Sequence, residues 1–470
     1  MRIYNTLSRQ VEEFVPHERG KIAIYVCGIT PYDYCHLGHA RTLVAFDIIR
    51  RWWEHSGYAV MHILNVTDID DKIISRAKQE KVAPLVLSAK FDAASREDML
   101  ALGLLPPTHM PKISEFIPQT IALIEKIIAN KHAYITESGV YFDISSFPEY
   151  GRLSGQDLQK IRAGARIEVD GKKKSPEDFA LWKKEETPGA AYDSPWGRGR
   201  PGWHIECSAM SLHYTLGQPL DAHGGARDLI FPHHENEIAQ SEASGTRPFS
   251  RHWIHTGFLT VNGEKMAKSL GNFITIRDAM KKFDSQTLRM FFALTHYRSP
   301  IDYSEKSIAS AKNTLDNVRR SLSLASGEGA KDGDLAEDEK LSVFVDACLK
   351  KFENSMGEDF DTPVALAELF AAAKEIARAK AEGKCSGDGI GLEASKVIAA
   401  FAIFGIDAGV AGKWAASKIT KEEVEKLVAE RAKARAAKDW AESDEIRKKL
   451  HDLGILVEDS KDGKQIWRYA

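Results

Sequence analysis

Ile22-Ala23-Ile24-Tyr25-Val26-Cys27-Gly28, with Pro31 close behind, is an apolar run of strand length closed by turn-forming residues. Beyond it, from His39 to His55, Leu43, Phe46, Asp47, Ile49 and Trp53 recur at steps of three and four, which predicts a helix ended by Gly57. Ala59–Val66 is a second strand-like run. The first 66 residues therefore read as a β-α-β unit. Right-handed crossovers of this kind build parallel sheets that bind ligands at the carboxyl ends of their strands. Cys27 and Thr67 stand at two such ends.

Composition frames this unit without assigning it a chemistry. With 470 residues, 43% of them hydrophobic and 28% charged, the chain has the balance of a globular protein of about two to four domains. Its longest apolar stretches, Ile22–Cys27 and Ile121–Ala129, are too short to span a bilayer. Met1–Asn5 lacks the regions of a secretion signal, so a cytoplasmic location is the default expectation. Five widely spaced cysteines, an odd number, argue against a disulfide framework and leave thiols for metal or core. The net charge of −3 announces no global field for nucleic acid, although a local basic surface is sufficient for RNA. Such a bias occurs from Lys413 to Leu450, where eleven Lys and Arg stand against eight Asp and Glu. A solvated helix face is the commoner reading of an excess that small.

Further along, helical patterning includes Pro118–Lys131. The pattern changes between Tyr134 and Pro201, which are rich in Gly, Lys and Pro, with strand-like pieces at Gly139–Ile144 and Arg166–Val169 and a basic loop at Gly171–Lys174. We read this as an insertion in the nucleotide-binding fold. Helical rhythm returns at Trp203–Leu212 and Leu229–Ser241, and dominates from Ser304 to about Phe404, with Gly327–Asp334 as a loop. Thr362-Pro363 begins one helix with proline at its first position. Thr420 with Glu423 forms a capping box for another running towards Lys438. Gly454–Val457 and Ile466–Arg468 complete a short α+β tail.

Two motifs suit phosphate chemistry. His36-Leu37-Gly38-His39 lies in the turn where the first strand meets its helix, and helix N-termini offer free N–H groups and a positive dipole end. Gly38 permits close backbone approach, and two histidines three residues apart can both donate to charge building during attack. Alone, the motif is more often a pair of turn histidines. Lys265-Met266-Ala267-Lys268-Ser269 follows a hairpin-like turn, and two lysines three apart on a mobile loop can neutralise a departing pyrophosphate. Alone, this too is more often a solvated loop. The two together, in this order and at this separation, match the class I aminoacyl-tRNA synthetases. The usual third residue of the second motif is serine, and here it is Ala267.

Cys27-Gly28-Ile29-Thr30, Gly202–Met210 (Gly-Trp-His-Ile-Glu-Cys-Ser-Ala-Met) and Phe231–Glu237 (Phe-Pro-His-His-Glu-Asn-Glu) are the most specific stretches. They resemble the cysteinyl-tRNA synthetases, and the likeness extends to Trp467-Arg468. It implies a Rossmann-like α/β catalytic domain in 1–133 and 202–303, an inserted connective peptide in 134–201, a helical bundle in 304–404 and an anticodon-binding region in 413–470. It also implies that Cys27, Cys207, His233 and Glu237 bind one Zn²⁺ per chain. Spacing alone does not give this set, since Cys27 and Cys207 lie 180 residues apart. Both cysteines read equally as small buried hydrophobes. Still, His233 and Glu237 are four apart, on one face of a helix, and all four side chains are ordinary zinc ligands.

The same resemblance places Thr30, Thr67, Trp203 and Asp228 around the substrate's amino and carboxylate groups. It places His223, Gly224 and Gly225 beside the adenylate, with His36, Gly38, His39, Lys265 and Lys268 on ATP. The implied substrates are L-cysteine, ATP with Mg²⁺, and tRNA, in a monomeric enzyme with no membrane partner. In the tail, Arg431, Lys433, Arg435 and Lys438 are candidate phosphate contacts, and Trp440 or Trp467 candidate base-stacking residues, with core packing an equal alternative. Two rival readings share the motifs: a cysteine:amino-sugar ligase of the mycothiol type, against which Lys413–Ala470 argues, and a non-catalytic RNA-binding paralogue.

Overall fold

The computed structural model describes residues 1–156, 173–266, 271–323, 333–409, 421–436, 439–452, 455–459 and 465–469. The opening unit forms as its pattern dictates: strand Lys21–Ile29, helix Leu37–His55 and strand Ala59–Val66, with the two strands parallel. They belong to a four-stranded parallel sheet in the order Ser250–Thr256, Leu220–Ala226, Lys21–Ile29, Ala59–Val66. Val26 faces Leu64 on one side and Gly224 on the other. The chain thus leaves the Lys21–Ile29 strand to one side first and returns to its other side later. A crevice opens where an open α/β sheet reverses in this way. The Ile22, Ile24, Tyr25 and Val26 side chains are buried, consistent with a strand covered on both faces.

The Leu37–His55 helix packs on this sheet through Val44, Phe46, Ile48 and Trp53. Asp47 shares its buried face, an unusual place for a carboxylate, and is held by cations. The guanidinium of the fully buried Arg289, on helix Ser285–Ala293, donates to Asp47 Oδ2, Arg51 Nε donates to the same oxygen at 2.8 Å, and the Leu105 N–H donates to Oδ1 at 2.8 Å. Burial opposes ionisation, but Arg289, Arg51 and these bonds outweigh it and hold the carboxyl below its usual range. Removing one partner of such a buried pair costs about 3–5 kcal/mol, because the other charge is left uncompensated.

The insertion folds as a four-stranded antiparallel sheet, Ala133–Thr136, Gly139–Phe142, Phe179–Lys184 and Gly199–Pro201. The strand expected at Arg166–Val169 and the start of the basic loop lie outside the described residues. One helical expectation is corrected. Leu229–Ser241 is not a single helix: a wide turn at Ile230–His234 contains Phe231 in an extended conformation (φ −137°, ψ 132°), and a regular helix occupies only Glu235–Ala243. Pro232 supplies the reason, since it has no backbone N–H to donate and so interrupts a helix interior.

The chain divides into two compact units, one comprising Met1–Asn313 with Lys350–Glu368, the other Thr314–Leu349 with Leu369–Ala470. In the second, helix Gly387–Phe401 buries Ile390, Val397 and Phe401. Helices Lys421–Ala436 and Trp440–Asp452 precede an antiparallel hairpin, Ile455–Asp459 with Gln465–Tyr469, in which Val457 pairs with Trp467. The Thr420 capping box and the loop expected at Gly327–Asp334 fall wholly or mostly outside the described residues. Among the described residues no helix is long and apolar enough to cross a membrane.

Candidate active site and metal centre

A cavity of about 540 Å³ opens at the carboxyl ends of the parallel strands. Cys27 to Ile29, Ala226 with Asp228, and Gly257 with Phe258 contribute successive strand ends to its wall, and His36, Gly38, His39 and Lys265 also line it.

His36 and His39 are joined in a reciprocal cap. His36 is the N-cap of Leu37–His55, and its Nδ1 accepts the Gly38 N–H at 3.1 Å. The His36 N–H in turn donates to His39 Nδ1 at 3.2 Å. Both rings spend Nδ1 as an acceptor, which places the proton of each neutral imidazole on Nε2. The rings stack 3.8 Å apart. Burial, then His36 and Lys72, lower the His39 pKa to about 3, so it is a neutral donor near pH 7. This cap favours glycine at Gly38: a Cβ there would lie 2.9 Å from His36 ring atoms. Lys265 is exposed on a short strand facing the cavity, and Lys268 and Ala267 lie outside the described residues.

Behind the cavity wall, Cys27, Cys207, His233 and Glu237 each place one donor atom within 4.8 Å of the others. The Cys27 and Cys207 sulfurs are 3.9 Å apart, His233 Nε2 is 3.5 Å from Cys207 Sγ, and Glu237 Oε1 is 3.1 Å from His233 Nε2. Cys207, His233 and Glu237 are buried, while Cys27 is half-buried and reaches the cavity. A second quartet, Cys27, His223, His234 and Glu237, meets the same distance criterion. Cys27 and Glu237 belong to both sets, and His234 Nε2 lies 3.2 Å from Cys27 Sγ. His223 Nε2 lies 2.7 Å from Glu237 Oε2, and His234 Nδ1 lies 2.8 Å from His255 Nε2, whose other ring nitrogen is 2.8 Å from the Thr6 hydroxyl. This leaves Glu237 Oε1 turned towards Cys27 and His233. Such outer partners are what orient metal ligands.

Burial pushes both thiols and the Glu237 carboxyl up, and the His233 imidazole down. The charge of a divalent cation acts oppositely on thiol and carboxyl. Two thiols, one imidazole and one carboxylate, converging beside the cavity, are a donor set that fits a zinc ion.

The remaining sequence candidates divide. Trp203 is 40% exposed and stacks on His233 at 4.4 Å. Asp228 is exposed at the cavity rim. Thr30 is half-buried at the strand end. Thr67 is buried and donates its hydroxyl to Glu206 Oε2 at 2.9 Å. His223, assigned by resemblance to the adenylate, is fully buried with its ring against Trp253 at 4.7 Å, and it braces Glu237 instead of lining the cavity. Gly224 and Gly225 lie in the same buried strand below Ala226.

The sequence reading passed over Glu206, His234 and His255. Glu206 is fully buried, which pushes its carboxyl well up. Its position between His204 and Cys207 in a quoted motif was the available signal. In the tail, Arg431 is buried and so is not the exposed phosphate contact expected of it. Lys433 is exposed, Arg435 half-buried, and Lys438 outside the described residues. Trp440 begins a helix and Trp467 sits in the hairpin.

Residues 13–313 match the family of class I (C) tRNA synthetase catalytic domains, residues 351–405 the DALR domain, and residues 420–468 the cysteinyl-tRNA ligase anticodon-binding domain. The cysteine–tRNA ligase of Geobacter sulfurreducens is 45% identical over 475 residues, covering 98% of each chain. That of Heliobacterium modesticaldum is 46% identical over 481 residues, covering both chains completely. Among solved structures, Mycobacterium tuberculosis methionyl-tRNA synthetase in complex with methionyl-adenylate aligns with a TM-score of 0.60 at 15% identity, over 82% of this chain and 89% of that one. The Agrobacterium radiobacter K84 LeuRS ternary complex aligns with a TM-score of 0.61 at 11% identity, over 83% and 84%. At such identities these two likenesses concern the fold.

Proposed function

The chain belongs to the cysteine–tRNA ligases, class I synthetases that charge tRNA with cysteine at the expense of ATP, and from that membership we propose that one zinc ion on Cys27, Cys207, His233 and Glu237 selects the amino acid. The observation carrying this reading is the convergence of those four donors behind the half-buried Cys27, at the wall of the nucleotide cavity. When bound, zinc supplies a soft Lewis-acid site for the thiolate of the substrate. An un-ionised alcohol is a far poorer ligand, so serine is refused at binding, a distinction that packing alone makes poorly between near-isosteres. No editing domain is then required of the insertion.

The cysteine carboxylate attacks the α-phosphate of Mg·ATP; the new C–O–P bond forms as the bond to pyrophosphate breaks. The terminal ribose hydroxyl of tRNA then attacks the adenylate carbonyl, releasing AMP. His36 and His39 donate from Nε2 to the phosphates, and Lys265 and Lys268 balance the charge of the leaving pyrophosphate. Asp228 at the rim holds the ammonium group through charge-assisted hydrogen bonds. Trp203 walls the pocket, Thr30 lies beside it, and Thr67 shapes it through Glu206. Gly224 and Gly225 keep the strand beneath the adenylate slim. Catalysis here is positioning and charge stabilisation, and no general base is assigned.

We assign the catalytic domain to 1–133 and 202–303, the connective peptide to 134–201, the helical bundle to 304–404 and the anticodon-binding region to 413–470, in a cytoplasmic monomer. Pyrophosphate exchange with cysteine and serine side by side, with zinc measured on the same sample, tests the selection. The expected result is about one zinc per chain and exchange with cysteine only; exchange with serine at a similar rate would defeat the reading. Because the tail is placed on tRNA, deleting residues 413–470 is expected to leave pyrophosphate exchange intact and to impair charging. Normal charging by the truncated chain would remove that role.

A further inference from the structure

The inserted segment and the metal-binding helix are bolted together by contacts that the reaction scheme leaves unused. Within Tyr150-Gly151-Arg152-Leu153-Ser154-Gly155 the chain makes a tight turn, with Gly151 at φ +98°, Gly155 at φ +70°, and the Gly155 N–H donating to Gly151 O at 2.8 Å. A Cβ at Gly151 would fall 2.2 Å from the Gln156 carbonyl oxygen, so the turn depends on that glycine. It presents two successive N–H groups to the buried Glu235 carboxylate, Ser154 at 2.8 Å and Leu153 at 3.4 Å. The Tyr150 hydroxyl donates to the amide oxygen of the buried Asn236. Arg152 pairs with Glu242, seven residues beyond Glu235 and therefore two turns further along the same helix face.

Little in the local chain fixes how this helix is rotated. No side chain caps its start at His234, and the preceding turn is broken at Phe231. Yet Glu237, one residue after Asn236, and His233 must hold donor atoms to within about 0.2 Å of ligand distance. A buried carboxylate and a buried amide cannot leave their partners without losing hydrogen bonds that water does not replace there. The turn therefore resists rotation of the face opposite the ligands. Leu153 and Tyr150 also share the core that contains Cys207 and Ile238.

We infer that the Tyr150–Gly155 turn is a positioning element for zinc: the insertion sets the rotation of the Glu235–Ala243 helix, and so cysteine affinity, without touching cysteine. The inference rests on the zinc reading given above. Tyr150→Phe removes one hydroxyl, and Glu235→Gln replaces one accepting oxygen with an amide NH2 that cannot accept, removing one of the two N–H contacts, each in the full-length zinc-loaded enzyme. Zinc affinity is read by competition with a chromophoric chelator, and KM for cysteine and for ATP by pyrophosphate exchange. Loss of a group bonded directly to a ligand typically weakens metal binding about 10- to 100-fold. The turn reaches the ligands only through Glu235 and Asn236, so a weakening of up to about 10-fold is expected in both variants, with KM for cysteine rising in step and KM for ATP within about twofold of wild type. Unchanged zinc affinity and cysteine KM would overturn the inference, as would equal rises in both KM values with a lowered melting temperature. Wild-type protein that binds no zinc would defeat the zinc reading as well, whereas zinc-binding wild type with unaltered variants would defeat this inference alone.

Discussion

Cys207→Ser is expected to leave the purified protein without zinc and to lower cysteine-dependent pyrophosphate exchange by more than the ~10- to 100-fold typical of outer-partner losses. Cys207 Sγ lies 3.9 Å from Cys27 Sγ and 3.5 Å from His233 Nε2, and the residue is 2% exposed. A serine hydroxyl in that place is smaller, does not ionise near neutral pH and is a poor zinc ligand. Three donors would remain, one of them the half-buried Cys27, and the pocket itself pushes the Cys27 thiol towards its neutral form. The effect should fall on KM for cysteine and on metal content, with ATP still bound at the separate His36–His39 face. Metal content is read directly on the variant. Zinc at the wild-type level would end the assignment of Cys207 as a ligand.

His39→Ala should act on the other side of the cavity, slowing adenylate formation about 10²- to 10³-fold, the usual loss for one donor to a developing oxyanion. Cysteine KM should change little. The variant also removes the acceptor of the His36 N–H, and a lost helix cap costs about 0.5–2 kcal/mol by itself. His39→Asn separates the two effects, because its side-chain oxygen is an acceptor near the cap while the Nε2 donor is gone. If single-turnover adenylate formation recovers in His39→Asn, the role of His39 is structural and not on the phosphates.

The pH dependence has a definite sign. The folded pKa of His39, about 3, is below the unfolded value, so the unfolded chain binds the extra proton in acid. The stability that the neutral ring contributes is fully present above about pH 6.5 and is lost as pH falls towards 3. His39→Asn should reduce acid sensitivity in that window, measured as melting temperature against pH.

Local pattern carried the fold a long way. The Ala59–Val66 strand has the limits its sequence implies, because eight residues of strand need only their own side chains to declare a buried run. The Leu37–His55 helix was equally legible, including Asp47 on its apolar rhythm; the reason for Asp47 was not, since Arg289 is 242 residues away. The broken stretch before Glu235 was readable in principle from Pro232, whose missing N–H is a local feature of the chain. The insertion was recognised as different, but its Phe179–Lys184 strand depends on pairing with Gly139–Phe142, and sheet partners are not encoded within one segment.

By itself, the sequence determined the β-α-β unit and the His36–His39 cap at its helix start, because caps and periodicity act over a few residues. Resemblance to a family supplied Cys27, Cys207, His233 and Glu237 as candidate metal ligands, which spacing left open. Only the tertiary structure decided that Cys27 and Cys207, 180 residues apart, share one pocket. It also decided that His233, and not His234 or His223, faces both Cys207 and Glu237 Oε1, and that an insertion turn grips the Glu235–Ala243 helix. The physical reason is that donor convergence and buried hydrogen-bond partners are set by how distant segments pack. A carboxylate or imidazole that is ambiguous in the chain acquires its role when burial fixes which groups remain within reach.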